Sequence, residues 1–416
     1  MSSRLGSRTP KTTGPCCGIR YATARRFHTP VRYTTHSDYH PEAPVCCPGI
    51  STNLSQEMGG EVQQKTEDCL TLDIWIPEKV EQKDLPVWIW IPGGNFIVGS
   101  GNQPRFNAQQ LANSTKSIIV SINYRVGIFG WPPFHVLPNV PLGTQDVPAR
   151  NLGLHDIHAA VYWIKKHIHH YGGNARNILL TGQSAGAFLA LDYARSSTDK
   201  DVSGLILFGT PLGMPKRIPK LARRASIAHI EKLATGSMDK MQNKIEKRWK
   251  SFRLFSYFRP TLPFQVSIPT RQRNTLPPIL AVFNKDEASA WINDRTPPNE
   301  AKRKIQRRIK RLASITMTYL LFQLPWHILS RKKITESCTL IRLDLTSHNS
   351  NQDIRTEHCM EIPVIFQNED NDAYLERKNI PTKVTEDARR EMNRLLSLWT
   401  QEKKSPKTMK HLQRII

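Results

Sequence analysis

Apolar positions fall into short runs along the chain, and the period within each run assigns an element. Leu70 to Ile76 (LTLDIWI) alternates and suits a strand. Pro86 to Ile91 (PVWIWI) and Ser117 to Ile122 (SIIVSI) are nearly continuous apolar runs of strand length, the pattern of strands covered on both faces. Further strands are predicted at Asn177 to Thr181, Leu205 to Phe208, Pro278 to Phe283 and Thr339 to Leu343. Between them the period changes. Leu154, Ile157, Ala160, Val161, Ile164 and Ile168 form a helical stripe. Ala187 to Ala194, residues 300 to 333 and Glu386 to Thr400 also read as helix, whereas residues 1 to 65 have no strong helical period. Strands alternating with helices predict an α/β fold, with a central, mostly parallel, twisted sheet flanked by helices. No repeat or low-complexity linker divides the chain, so residues 1–416 are expected to form one domain. Residues 212–275 and 296–333 are expected to be basic helical excursions from it.

Charge adds a surface property to this picture. The chain has 416 residues, with 59 Lys+Arg against 35 Asp+Glu and a net charge of +24. Such a field attracts polyanions non-specifically and opposes self-association, so a monomer is expected. The run Lys302 to Arg311 holds seven basic residues in ten. Its plainest reading is the solvated face of a helix, with Ile305 and Ile309 pointing inward. Trp249, Phe252, Phe255, Tyr257 and Phe258 read as helix-packing residues, so no specific nucleic-acid partner is expected. No uninterrupted apolar stretch reaches about 18 residues, so no transmembrane segment is expected. The N-terminus lacks the apolar stretch of a secretory signal, and the chain is read as cytoplasmic with its thiols mostly reduced. The seven cysteines include no paired CxxC framework for zinc.

The chemistry concentrates in NILLTGQSAGAFLA. Gly182 and Gly186 stand two residues either side of Ser184, between a predicted strand and a predicted helix. A nucleophile on such a turn needs small neighbours, and the helix that follows stabilises negative charge. Serine needs a base, and the base an orienting acid. Asp286 and Glu287 follow one late strand, and His348 and His358 follow another; spacing alone does not choose within either pair. Gly93-Gly94-Asn95 follows an early strand and can turn backbone N–H groups toward a developing oxyanion, as can Ala185 after the nucleophile.

These segments resemble the type-B carboxylesterases, the cholinesterase-like α/β-hydrolases. Glu67 to Trp75 is similar to EDCLYLNIW, Ile89 to Phe96 to WIHGGGF, Ser121 to Gly127 to SxNYRxG, and Asn151 to Asp156 to NxGLxDQ. Asn284 to Ser289 resembles KDEGS, and His358 to Phe366 resembles HGxELPFVF. The resemblance implies an α/β-hydrolase fold and a serine carboxylesterase working through an acyl-enzyme. It implies Ser184, Glu287 and His358 as the triad, and Gly94, Asn95 and Ala185 as the oxyanion hole. It implies a small-molecule ester substrate and no cofactor. It also implies a Cys47–Cys69 disulfide and an Arg26–Glu67 ion pair. The chain departs from the family pattern at Pro92, at Asn95 in place of the third glycine, and at Gln183 before the nucleophile. No Trp lies between Cys47 and Cys69, so the platform for a choline ester is missing. The alternative expectation is a catalytically impaired binding protein on the same fold.

Overall fold

The computed structural model describes residues 16–35, 44–49, 64–78, 83–132, 137–138, 140–197, 202–213, 236–238, 275–291, 300–331, 335–345, 355–403 and 413–415. Nine strands form one sheet. They are β1 (Cys16–Arg20), β2 (Thr71–Trp75), β3 (Leu85–Ile91), β4 (Ile118–Ile122), β5 (Gly173–Gln183), β6 (Val202–Phe208), β7 (Ile279–Asn284), β8 (Cys338–Leu343) and β9 (Gln413–Ile415). Their spatial order is β1-β2-β4-β3-β5-β6-β7-β8-β9. The β1–β2 and β2–β4 pairs are antiparallel, and every later pair is parallel.

The continuous apolar runs are explained by burial on both faces. Along β3, Val87, Ile89 and Ile91 join one core while Trp88 and Trp90 join the other. The first core lies under α2 (Leu152–His167) and α3 (Ala185–Ser196). The second lies under α6 (Glu361–Phe366) and α8 (Thr382–Glu402). Side chains alternate along a strand, so each of the two helical layers receives every second residue of β3.

Every strand expected from the sequence is present, with bounds that differ by up to four residues at an end. Short elements that carried too little periodicity to be seen include β1, α1 (Gln109–Thr115), α6, α7 (Glu369–Arg377) and β9. The expected excursion 212–275 lies almost wholly outside the described residues, as do the aromatics Trp249 to Phe258. The second excursion contains α4 (Glu300–Thr318), a π-helical turn at Tyr319–Gln323, and α5 (Leu324–Arg331). Here one expectation fails: Ile309 does not point inward but is 61% exposed. The inward stripe is Ser314, Thr318 and Phe322 instead. Thr318 Oγ1 accepts the buried Ala288 N–H at 3.0 Å, and that donor needs a polar partner that an isoleucine cannot supply.

Cys47 and Cys69 are disulfide-bonded, the pairing the resemblance implies, so this pair departs from the general expectation of reduced thiols. The bond ties the loop before β2 to the core. Arg26 Nε donates to Glu67 Oε2 at 2.8 Å, so the implied ion pair is also formed.

Candidate active site

The parallel strands bring the sequence-predicted residues to one edge of the sheet. Gly94 and Asn95 follow the carboxyl end of β3, Ser184 that of β5, Glu287 that of β7, and His358 lies in the loop after β8. Ligands in open α/β sheets gather at this edge, where consecutive loops splay apart.

Ser184 sits on a tight turn with φ 53° and ψ −118°. Two close approaches make the turn possible. A Cβ on Gly182 would lie 2.6 Å from Gly186 C, and one on Gly186 would lie 2.0 Å from Ile91 O. Neither position has room for a side chain, which is the physical content of the Gly-x-Ser-x-Gly spacing. The Ser184 N–H donates to Phe208 O at 2.8 Å, pinning the turn to the end of β6. Ala185 opens α3, so its amide is one of the helix's N-terminal donors.

The Gly93–Asn95 turn packs directly on this elbow. A Cβ on Gly93 would fall 3.2 Å from Ser184 Cβ. Gly94, Asn95 and Phe96 all have positive φ, at 125°, 53° and 64°. Successive left-handed residues direct neighbouring amides to one side and form an anion-binding concavity. Among the described residues, the amides of Gly94 and Asn95 have no acceptor. Asn95 holds the backbone angle usually given to glycine, and Asn tolerates it well. Pro92 brings no N–H, and its carbonyl accepts from Tyr124 Oη at 2.8 Å, which fixes the start of the turn.

The open choice between Asp286 and Glu287 is decided by direction. Glu287 Oε2 lies 2.6 Å from His358 Nδ1, and both side chains are buried. Glu287 Oε1 accepts Asn284 N–H at 2.8 Å. Asp286 turns away: its Oδ2 accepts Thr356 N–H at 3.2 Å, fastening the loop that carries His358. His348 lies outside the described residues. Burial lowers the affinity of His358 for its second proton, but the Cys359 sulfur and the Glu287 carboxylate outweigh it, so the imidazole pKa is raised above its usual value.

Four residues of the site were not assigned a contact from the sequence. Gln183 is buried and its Nε2 lies 3.2 Å from His358 Nε2 and 3.2 Å from Cys359 Sγ. When the ring is neutral, with Nδ1–H given to Glu287, its Nε2 accepts this amide. The sequence marked Gln183 only as a departure from the family pattern. Cys359 stands at φ 76°, where the family motif HGxELPFVF has its glycine. Glu361, from the same segment, is buried beside Glu287 and accepts from Asn284 Nδ2. Burial, and then the Glu287 charge, push its pKa up to about 7. Gly209, at φ 51°, closes the floor. A Cβ there would lie 3.0 Å from Glu361 Oε1, 3.1 Å from His358 Cε1 and 3.2 Å from Glu287 Oε1. No motif flagged it, because its role is contact with three residues remote in sequence.

Two of these contacts have measurable consequences. Gly209→Ala combines a strained φ with crowding of the His358–Glu287 pair. It is expected to lower kcat/KM by about 10-fold or more, since small displacements of positioned groups are costly. Wild-type kcat/KM for a p-nitrophenyl ester in the variant would overturn this. Glu361 carries a stability signature. Its carboxyl holds a proton in the folded state between the usual 4.5 and about 7, where the unfolded chain has released it. Unfolding therefore sheds a proton in that window, and the Glu361 contribution falls as pH rises from about 4.5 to 7. Replacement by Gln is expected to flatten the slope of melting temperature against pH across this window, read by scanning calorimetry. An unchanged slope would contradict it.

The sheet order and the strand–turn–helix around Ser184 define an α/β-hydrolase. The chain belongs to the carboxylesterase family, whose model matches residues 15–367. It is 34% identical over 227 residues to a probable N-octanoylanthranilate hydrolase of Rhodococcus erythropolis, covering 52% of this chain and 47% of that protein. It is 40% identical over 178 residues to the bile salt-activated lipase of Rattus norvegicus, covering 41% and 27%. It is 34% identical over 161 residues to the para-nitrobenzyl esterase of Bacillus subtilis (strain 168), covering 38% and 31%. These matches span at most about half the length of the curated relatives. A solved PNB esterase superposes with a TM-score of 0.76 at 20% identity, covering 96% of this chain and 90% of that one. That likeness shows the fold.

Proposed function

We propose that this chain is a serine carboxylesterase that hydrolyses small-molecule carboxylic esters through an acyl-enzyme. The observation that carries the reading is the buried Glu287–His358 pair at 2.6 Å, set across the sheet edge from a serine on a glycine-flanked elbow. Ser184 Oγ attacks the ester carbonyl carbon while His358 Nε2 takes its proton. Glu287 holds the ring by Nδ1 and stabilises the imidazolium. The amides of Gly94, Asn95 and Ala185 bind the oxyanion. Collapse of the tetrahedral adduct breaks the C–O bond, and His358 returns the proton to the leaving alcohol. Water then attacks the acyl-enzyme by the same path and releases the acid.

His358 Nε2 faces Gln183 in the resting arrangement. Catalysis in this scheme requires the Gln183 amide to yield Nε2 to Ser184 Oγ. Catalytic hydrogen bonds commonly tighten only when substrate seats, so the resting contact is compatible with turnover. The same contact supports the second reading, a binding protein whose histidine is occupied. Labelling by a fluorophosphonate probe, together with turnover of p-nitrophenyl esters, separates them. Labelling and turnover are expected; a folded protein showing neither overturns the esterase reading.

A further inference from the structure

The helix α4 is built inside out. Among its described side chains the small hydroxyl residues Ser314 and Thr318 are the buried ones, at 6% and 2% exposure. Its large apolar residues face solvent: Ile309, Leu312 and Ile315 are 61%, 65% and 53% exposed. Tyr319 and Leu320 continue the exposed apolar face into the π-helical turn, and Ile328 extends it onto α5. At about 100° per residue, Ile309, Leu312, Ile315, Tyr319 and Leu320 fall within one arc of about 140°, away from Ser314 and Thr318. Scattered exposed apolar residues are ordinary on a protein surface, whereas a contiguous face of this kind marks a contact site.

Charge selects the occupant. The basic run Lys302 to Arg311 leads into the apolar face, and Arg331, Lys332 and Lys333 follow it in sequence. A second copy aligned in either direction would set basic residues against basic residues, within a chain of net charge +24. An anionic bilayer surface is complementary to both features, because apolar side chains enter the acyl boundary while flanking Lys and Arg meet headgroups. The stretch Ile309–Arg331 has the length and mean hydropathy of a membrane span, but its inner side is tied to the hydrolase body. Thr318 holds Ala288 N–H, and the Phe322 ring centroid lies 5.7 Å from that of His358. A helix anchored in this way lies along a surface rather than across it.

We propose that the outer face of α4 and the following turn docks this protein onto anionic phospholipid membranes. The docked helix is the one that packs Phe322 against His358, so the membrane would lie beside the catalytic loop. Binding itself does not depend on the esterase reading and is measured without turnover.

The test is co-sedimentation of the full chain with phosphatidylcholine vesicles, with and without about one-third phosphatidylserine, near physiological salt. Wild type is expected to partition at least about 10-fold more strongly onto the anionic vesicles. Leu312→Glu combined with Ile315→Glu is expected to lose that gain with its melting temperature unchanged. A second variant, Leu312→Ser with Ile315→Ser, is expected to lose it too, which separates lost apolar area from added negative charge. Absence of wild-type binding would overturn the proposal. So would full binding by the serine variant, which would reduce the effect to bulk charge. A wild-type dimer in light scattering that the serine variant dissolves would assign the face to a second copy instead, and would also overturn it.

Discussion

Ser184→Ala is expected to abolish fluorophosphonate labelling and to lower kcat for p-nitrophenyl esters by about 10³-fold or more. Its melting temperature should match that of wild type. The two halves of the expectation come from different parts of the structure. Activity depends on Oγ, the one atom removed. Stability depends on the turn, and alanine keeps the Cβ and adopts the same φ of 53° at no added cost. The donor to Phe208 O is the backbone N–H, which the substitution also leaves in place. Residual turnover is expected, because the oxyanion amides and substrate binding survive the loss of the nucleophile. Wild-type rates in a folded Ser184→Ala protein would remove Ser184 from the mechanism. A large fall in melting temperature would mean that the hydroxyl supports the elbow.

The largest stability effect is expected at Asp156. Its carboxylate accepts Arg125 Nε at 2.8 Å, Arg125 Nη2 at 2.7 Å and the Arg125 backbone N–H at 3.0 Å. Arg125 Nη1 reaches on to His28 O at 2.8 Å, linking the N-terminal segment to the end of β4 and to α2. Both charged side chains are buried, at 5% and 0% exposure. Asp156→Ala leaves the guanidinium buried without its countercharge, and breaking one half of such a pair costs about 3–5 kcal/mol. The measurement is the urea midpoint, with the slope unchanged if the folded state keeps its surface. A shift below about 1 kcal/mol would show that water reaches Arg125 and that the pair is not structurally buried.

Neither ionic partner of that pair announced itself. Arg125 and Asp156 each fell inside a segment resembling the family, yet only Arg26 and Glu67 were matched to an ion pair beforehand. The reason lies in what periodicity can record. A strand or helix pattern reports which face is buried, and says nothing of which buried side chain meets another 31 residues away. The same limit explains the triad. From spacing, Asp286 and Glu287 were equal candidates. The two carboxylates are separated in role by a turn that aims one at His358 and the other at the Thr356 amide. The resemblance implied Glu287, and Glu287 is the carboxylate that faces His358. Gln183, Asn284, Gly209, Cys359 and Glu361 surround that pair, and their contacts come from β5, β6, β7 and the loop after β8 together.

The sequence by itself determined the local chemistry. Alternating and continuous apolar runs placed the strands but not their burial, since β2 alternates in sequence yet is buried along its whole length. Gly182 and Gly186 determined the elbow, because only a hydrogen fits where their backbones meet Gly186 and Ile91. The tertiary structure decided everything that depends on convergence between distant segments. It set which carboxylate faces His358 and placed the Gln183 amide on the Nε2 that a nucleophile would need. It also turned α4 so that Ile309 faces outward. An amphipathic pattern records that a helix has two faces. The face that turns inward carries Thr318, whose hydroxyl satisfies the buried Ala288 N–H as an isoleucine could not.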